Sequence, residues 1–287
     1  MSREQVSSDG AMSEYLPFTK MQGVGNDFVL VDTRSGVEHD WPRLAVRMCD
    51  RHFGIGADGL LLITACSEAD VGMRMFNPDG TEDFCGNGLR CVARYVADAE
   101  DPRPDTLRIG TLSGVRTAWL IGPDTVRADM TDPVFRPEGI PMRVTGERVL
   151  DYELPIENGF LRITALSTGS THAVVFVDRL PDDDEFVRIS RQVENHPLFP
   201  ERTSLMWTRV ESPERLRLRI WERGAGETLG CGTGACAAMI AARLHGYVGS
   251  RVAVASEGGE MTVEWEPGGT LFQTGPAEYV FGGRYFL

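Results

Sequence analysis

The 287-residue sequence has a single lysine, Lys20, among its 29 basic residues, and no Cys-x-x-Cys pair among its six cysteines. A pyridoxal-phosphate enzyme needs a lysine for its Schiff base, and the segment around Lys20 has no phosphate-binding loop. Zinc sites commonly draw on closely spaced cysteine pairs. The sequence therefore predicts a protein that works without a cofactor and without a metal.

The sequence also lacks an apolar run of transmembrane length and any excess of positive charge, since its formal net charge is −13. Such a charge disfavours nucleic acids and anionic membranes as partners and leaves a small molecule as the expected ligand. Residues 1–16 are polar, without the apolar core of a signal peptide. We expect a flexible tail there, a cytoplasmic location and reduced thiols; a homodimer stays open.

Strand-like segments outnumber helical ones along the chain. The predicted helices are 43–52, 88–100, 184–196 and 233–246. The predicted strands lie within 18–33, 57–64, 71–77, 106–122, 125–132, 160–168, 172–178, 214–222, 251–256, 260–266 and 269–275. Few helices among many turn-bounded strands indicate an α+β protein with mostly antiparallel sheets. A segment rich in proline and glycine, "DPVFRPEGIPMRV", predicts a domain boundary near Asp132.

Two helix starts carry the same pattern. Cys85 and Cys231 are each followed by glycine at the first and third positions, in "CGNG" and "CGTG". Apolar residues follow at positions +4, +7, +8 and +11 of both cysteines, which is one face of an α-helix. A strand and an acidic turn precede each copy. We interpret this as a duplicated unit, one in each half of the chain, and the other four cysteines as structural.

A cysteine at a helix start has chemical consequences. The first turn offers unpaired N–H groups and partial positive charge, which bind a carboxylate and are expected to lower a thiol pKa from about 8.5 toward neutrality. Two such starts facing each other suit inversion of an amino-acid α-carbon. One thiol removes the proton from one face, and the other returns a proton to the opposite face. Cys85 and Cys231 are therefore the predicted catalytic pair.

Three segments, "KMQGVGNDF", "FNPDGTEDFCGNGLRC" and "WERGAGETLGCGTGACA", resemble the diaminopimelate epimerase family, in the same order from Phe18 to the C-terminus. The resemblance implies two pseudo-symmetric domains, each a strand-rich barrel-like sheet around a central helix. These would span 17–132 and 133–276, with a final strand at about 277–287 returning to the first. It also implies cofactor-independent conversion of LL-diaminopimelate to meso-diaminopimelate, an isomerase step of lysine biosynthesis.

The resemblance implies a set of substrate-binding residues: Asn26, Asn77, Gly86, Asn87, Ser170, Ser204, Glu222, Arg223, Gly232 and Thr233. Glu222 continues the inward phase of its strand. Three positions depart from the family. Gln22 replaces a histidine, and Ser170 and Ser204 replace asparagines that normally contact the far end of the substrate. Altered recognition at that end is the expectation.

Several other functions stay open on sequence alone. The chain could be a related racemase for a different amino acid. It could be a proline racemase-type enzyme, although that family's first motif resembles "CGHG" rather than "CGNG". A phenazine-biosynthesis-type isomerase would share the fold without the thiol pair. A non-catalytic amino-acid-binding protein would have dispensable cysteines.

Overall fold

The computed structural model describes residues 15–287, which form four α-helices, a short 3-10 helix and eighteen β-strands. The helices are α1 (Trp41–Cys49), α2 (Gly86–Asp98), α3 (Asp183–Glu194) and α4 (Gly232–Leu244), with the 3-10 helix at Pro137–Gly139. The strands are β1 (Tyr15–Gly23), β2 (Asn26–Asp32), β3 (Gly59–Thr64), β4 (Val71–Phe76), β5 (Glu82–Asp83), β6 (Thr106–Thr111), β7 (Gly114–Leu120), β8 (Thr125–Asp129), β9 (Val149–Ile156), β10 (Gly159–Ser167), β11 (Thr171–Phe176), β12 (Ser204–Ser212), β13 (Arg215–Glu222), β14 (Gly226–Thr228), β15 (Arg251–Ser256), β16 (Gly259–Glu264), β17 (Phe272–Pro276) and β18 (Glu278–Phe286).

The strands fall into two halves with the same topology. The N-terminal half comprises β1–β8 with α1 and α2, and the C-terminal half comprises β9–β17 with α3 and α4. In the first, β2 and β3 pair in parallel across α1, and β4 and β6 pair in parallel across α2. In the second, β11 and β12 pair in parallel across α3, and β13 and β15 across α4. The two halves join where β8 pairs antiparallel with β17. The duplicated α+β fold predicted from the sequence is confirmed.

The last strand belongs to the sheet of the N-terminal half. Strand β18 pairs antiparallel with β1, just as β9 pairs antiparallel with β10 in the C-terminal half. The chain end therefore supplies to the first half the strand that β9 supplies to the second.

The two central helices are the most buried of the four α-helices. Helix α2 packs against strands of the N-terminal half and α4 against strands of the C-terminal half. A single apolar core contains residues of both helices. Helices α1 and α3 cover the outer faces and close two smaller cores. This arrangement places the first turn of α2 and that of α4 inside the molecule, near the junction of the halves.

Helix α1 spans 41–49 rather than the predicted 43–52. The Asp40 carboxylate accepts a hydrogen bond from the Arg43 N–H at 3.2 Å, and Pro42 occupies the first turn, so the helix starts early. It ends at Cys49 because Asp50 is already extended, with φ −60° and ψ 124°.

Strands β9 and β12 were absent from the prediction. In β12, Leu205 and Trp207 face the core under α3, whereas Met206 faces the central core. A strand buried on both faces shows no polar alternation, which removes the usual sequence signal.

Most of the predicted tail, residues 1–16, lies outside the described residues. Its last two residues, Tyr15 and Leu16, open β1, and the Leu16 side chain is buried. Within 15–287, no helix has the length and apolar character needed to cross a membrane.

Candidate active site

The two predicted catalytic cysteines are the N-caps of the central helices and have nearly identical backbones. Cys85 precedes α2 with φ −136° and ψ 116°, and Cys231 precedes α4 with φ −131° and ψ 114°. Each thiol sulfur accepts a hydrogen bond from the glycine three residues on, at 3.4 Å from Gly88 N and 3.3 Å from Gly234 N. The repeated sequence thus produces a repeated cap.

The two helix starts approach each other through glycine. A Cβ atom on Gly232 would lie 2.9 Å from Asn87 Oδ1 and 3.1 Å from Gln273 Nε2. A Cβ on Gly86 would lie 3.2 Å from Gln273 Oε1. Gln273, on β17, donates from Nε2 to the Gly232 carbonyl at 2.7 Å. The first turns of α2 and α4 therefore meet around one buried amide.

Amides and charges surround Cys85. Its sulfur lies 3.7 Å from Asn26 Oδ1, which also accepts from Asn87 Nδ2 at 3.1 Å. Asn26 Nδ2 donates to Asp58 Oδ2 at 2.8 Å. At the other end, Arg90 Nη2 donates to Asn87 Oδ1 at 2.8 Å. The structure therefore brings predicted residues Asn26 and Asn87 to the first thiol.

Hydroxyls and an imidazole surround Cys231. Its sulfur lies 3.5 Å from Thr233 Oγ1, which is 3.0 Å from His172 Nε2. Ser170 Oγ is 3.0 Å from the same imidazole nitrogen and 3.3 Å from Thr233 Oγ1. Burial lowers the pKa of His172 to about 3, so its ring is neutral at physiological pH.

Glu222 lies at the end of β13, beside the second thiol. Its Oε1 accepts from Thr228 Oγ1 at 2.5 Å. Burial raises the pKa of this carboxyl group, and the hydrogen bond from Thr228 and the nearby Cys231 thiol oppose that shift. The Glu222 charge in turn helps to raise the pKa of both Cys231 and Cys85.

The expected lowering of the thiol pKa is wrong for the protein without a ligand. Burial raises the pKa of Cys85 to about 12 and that of Cys231 well above its usual value. The N–H groups of Gly88 and Gly234 act in the opposite direction, but their effect is smaller than that of burial. Both thiols are therefore protonated at neutral pH, and a thiolate needs added positive charge or a proton acceptor.

The other predicted binding residues lie further from the thiols. Ser204 Oγ accepts from the Arg223 backbone N–H at 3.1 Å, and Arg223 Nη1 donates to the Glu201 carbonyl at 3.0 Å. Asn77 Nδ2 donates to Thr81 Oγ1 at 3.1 Å within the β4–β5 turn. The structure thus joins Ser204 to Arg223 and holds Asn77 in its own turn.

Gln22 stabilises the turn that presents Asn26. Its Oε1 accepts from the Gly25 N–H at 2.9 Å, and its Nε2 donates to Glu278 on β18 at 2.6 Å. The residue that departs from the family pattern therefore supports the β1–β2 turn.

Four residues of the site were missed from the sequence: Asp58, Arg90, His172 and Gln273. Arg90 had a signal, because the repeat aligns it with Cys236, both being five residues after a helix-start cysteine. His172 lies two residues after Ser170, in "GSTH", where the family resemblance assigns a role to Ser170 alone. The other two come from distant parts of the chain and carry no local pattern.

Within 15–287, no group of three or more His, Cys, Asp or Glu side chains is placed to hold a metal ion. All six cysteines lie in this part of the chain and are unpaired thiols.

Solved structures with this fold include epimerases. A hydroxyproline epimerase from Agrobacterium vitis superposes with a TM-score of 0.72 at 16% identity, covering 96% of this chain and 94% of that one. A PhzF-family phenazine biosynthesis protein from Bacillus anthracis superposes with a TM-score of 0.64 at 18% identity, covering 96% and 100%. At such identities the likeness establishes the fold alone.

A cysteine caps each central helix of the duplicated fold, and the family model and relatives that match the chain are those of epimerases, so the chain is an isomerase of the epimerase class. The family model for diaminopimelate epimerase matches residues 18–136 and 164–280. The chain belongs to the diaminopimelate epimerase family.

Relatives at much higher identity agree with this assignment. A protein named diaminopimelate epimerase from Pelotomaculum thermopropionicum is 46% identical over 275 residues, covering 93% of this chain and 98% of that protein. One of the same name from Moorella thermoacetica is 44% identical over 277 residues, covering 94% and 99%. The similarity thus extends over nearly the whole of each protein.

Proposed function

We propose that the protein inverts one α-carbon of LL-diaminopimelate to give meso-diaminopimelate, in the cytoplasm and without a cofactor. The observation that carries this proposal is the pair of thiols on matching N-caps, at helix starts that meet around Gln273. The name shared by relatives that are 46% and 44% identical supports the substrate.

The reaction needs two proton carriers on opposite faces of one carbon. One sulfur takes the α-proton as the C–H bond breaks, and the other thiol gives its proton as the new C–H bond forms. The substrate carboxylate develops enediolate character meanwhile. The first-turn N–H groups of α2 and α4, around Gly86 and Gly232, would stabilise that charge.

Thiolate formation is the step that burial opposes. An α-ammonium group beside a thiol favours the thiolate, because an opposite charge at short range lowers a thiol pKa. Glu222, beside the Cys231 thiol, offers an acceptor for the displaced proton, since burial raises the pKa of its carboxyl group. Substrate binding would therefore produce the reactive state, in which one cysteine is a thiolate and the other is a thiol.

A racemase of another amino acid is the second candidate, and one observation favours it. Ser170 and Ser204 replace longer asparagines, and their hydroxyls are engaged within the protein, with His172 and with the Arg223 backbone. A serine hydroxyl is shorter than an amide and offers one donor instead of two. Contacts to the far end of a long substrate would be fewer.

A substrate panel tests both candidates. Turnover of LL-diaminopimelate is compared with that of basic, acidic and aromatic amino acids, and α-deuterium incorporation from D2O is followed by mass spectrometry. We expect kcat/KM of about 10⁴ M⁻¹s⁻¹ or above for diaminopimelate alone, unaffected by chelators or added pyridoxal phosphate. Faster turnover of another amino acid would contradict the assignment of LL-diaminopimelate as the substrate. Deuterium incorporation into none of them would contradict epimerase chemistry.

A further inference from the structure

The side chains beside Cys85 form one chain of hydrogen bonds that ends in a charged side chain on each side. Arg90 Nη2 donates to Asn87 Oδ1 at 2.8 Å, and Asn87 Nδ2 donates to Asn26 Oδ1 at 3.1 Å. Asn26 Nδ2 then donates to Asp58 Oδ2 at 2.8 Å. Every bond in the chain points from the guanidinium toward the carboxylate.

The two ends dictate this direction. A guanidinium has donors only, and an ionised carboxylate has acceptors only. A side-chain amide has an NH2 group that donates at one end and an oxygen that accepts at the other. Arg90 therefore fixes the oxygen of Asn87 toward itself, and Asp58 fixes the nitrogen of Asn26 toward itself. Turning either amide would bring two donors or two acceptors together, and the groups left without a partner make that arrangement unfavourable.

Arg90 is itself firmly held. Its side chain has no exposed surface, Nη1 donates to Gln273 Oε1, and Nε donates to the Pro276 carbonyl at 3.3 Å. The guanidinium occupies a slot beside Gly23 and Gly275, where an added Cβ would lie 3.3 Å and 3.2 Å from it. The donor end of the chain therefore has little freedom to move.

Asp58 is held in the same way at the acceptor end. Its Oδ1 accepts from Arg51 Nη2 at 2.8 Å, and its Oδ2 accepts from the Asp27 N–H at 3.1 Å as well as from Asn26. The paired guanidinium favours the ionised carboxylate that the chain requires, against the burial and the nearby Asp27 charge that raise the pKa of Asp58.

We propose that Asp58 and Arg90 are positioning residues that lock the Asn26 amide so that an acceptor, and not a donor, faces the Cys85 thiol. Asn26 Oδ1 lies 3.7 Å from Cys85 Sγ and accepts the thiol proton. The lock keeps Cys85 in its proton-bearing form until a ligand arrives. Cys231 has no such lock, because the neighbouring hydroxyls of Thr233 and Ser170 rotate and can donate or accept.

Thiol alkylation tests this without any substrate, so its outcome is independent of the proposed reaction. The rate of iodoacetamide modification of each cysteine is measured by peptide mass spectrometry across pH 6–10. The variants are Asp58→Asn, Arg90→Gln and the double variant. Each new amide can donate or accept, so it no longer dictates a direction. The charges that face Cys85 directly are Arg90, on its own helix, and Glu222, from β13.

The lock and simple electrostatics predict different results. Charge alone predicts faster alkylation of Cys85 in Asp58→Asn, slower alkylation in Arg90→Gln, and a wild-type rate in the double variant, where the charges cancel. The lock survives in each single variant, because one charged end remains, and fails only in the double variant. Asn26 can then turn its NH2 group to a thiolate, and Cys85 is alkylated about tenfold faster than in the wild type, the effect of roughly one pKa unit.

Two controls separate the lock from loosened structure. Asp129→Asn removes another carboxylate of the N-terminal half, one that accepts from the Thr117 N–H at 2.7 Å, and should leave Cys85 unchanged. Cys231 and the half-buried Cys66 should keep their wild-type rates in all variants. Additive rates in the double variant, or equal acceleration of Cys85 and Cys231, would overturn the proposal.

Neutron diffraction on wild-type crystals grown in D2O provides a test that needs no variant, and it applies even where the double variant does not fold. We expect the two deuterons of the Asn26 amide on the side of Asp58, with the oxygen toward Cys85. Deuterons directed at the sulfur would refute the lock.

Discussion

The two halves of the site share a backbone and differ in chemistry. Cys85 and Cys231 cap their helices with φ and ψ angles that agree within 5°. Around Cys85 the partners are amides with a fixed direction, and around Cys231 they are hydroxyls, a neutral imidazole and a carboxyl group. Inversion requires one proton-bearing and one proton-free group, so identical surroundings would be a disadvantage. The duplication preserved the geometry while the side chains became unlike.

Gln273 is where the unlike halves are joined. Its Oε1 accepts from Arg90, and its Nε2 lies 3.6 Å from the sulfur of Cys236, the residue that aligns with Arg90 in the repeat. One amide thus contacts the two equivalent positions, a cation in one half and a thiol in the other. The distance between the helix starts depends on this residue and on the glycines beside it.

The largest expected effect comes from removing either thiol. Cys85→Ala and Cys231→Ala should each abolish inversion, since each face of the carbon needs its own proton carrier, and a positioned acid or base contributes about 10²–10⁴-fold. Epimerisation is followed by chiral chromatography, and α-deuterium exchange is measured in parallel on each diastereomer.

Matched controls lie on the same helices. Cys91→Ala on α2 and Cys236→Ala on α4 remove buried thiols outside the caps and should leave turnover largely intact. Near-normal inversion by Cys85→Ala or Cys231→Ala would contradict a mechanism with two thiols.

The glycines at the meeting point should respond unequally. Ala at Gly232 would press on Asn87 Oδ1 at 2.9 Å and on Gln273, whereas Ala at Gly86 meets first the terminal methyl of Met130, at 2.5 Å. Polar groups held in a network cannot move aside as a methionine end can. We expect Gly232→Ala to lower kcat by about 10²-fold, the scale of an ångström-sized misplacement, and Gly86→Ala to lower it less.

Crystal structures of the two variants and their kcat values check this comparison. Equal losses would mean that the two sides are equally rigid, and a larger loss in Gly86→Ala would reverse the interpretation.

The buried imidazole of His172 makes the free energy of unfolding depend on pH. The folded-state pKa of His172 is about 3 and its usual value is 6.5, so below pH 6.5 the unfolded chain binds a proton that the folded protein does not. The free energy of unfolding should fall as the pH drops from 6.5 toward 3, at up to about 1.4 kcal/mol per pH unit from this residue.

Urea unfolding of the wild type and of His172→Gln at pH 7, 6 and 5 isolates this contribution. The buried Glu222, whose pKa is raised, has the opposite sign, but it is present in both proteins and cancels in their difference. A constant difference between the two proteins at all three pH values would show that His172 binds its proton equally in the folded and unfolded states, and so that its pKa is not lowered by folding.

Residue spacing in the sequence predicts the features that depend on residues close together in the chain. The two helix starts, their glycines and the duplication follow from spacing alone. The residues that hold the thiol partners do not, because Asp58, just before β3, His172, on β11, and Gln273, on β17, are brought to the site by the tertiary fold. The thiol pKa was predicted in the wrong direction for a related reason: a helix start can be recognised in sequence, whereas its depth of burial depends on the whole fold.

The smallest predicted effect concerns a difference at one strand start. Ser204 opens β12 as Gly59 opens β3, so the C-terminal half places a side chain where the N-terminal half has none. Ser204→Asn would extend that side chain by an amide with two donors. If LL-diaminopimelate is bound with its far end on this side, KM should fall about two- to tenfold with kcat unchanged, as one added hydrogen bond of about 0.5–1.5 kcal/mol implies.

Ser204→Ala is the control, and it should raise KM because the Arg223 N–H loses its acceptor. An unchanged KM in Ser204→Asn would place the far end of the substrate elsewhere, and the N-terminal half, through Asn77, would become the side to test.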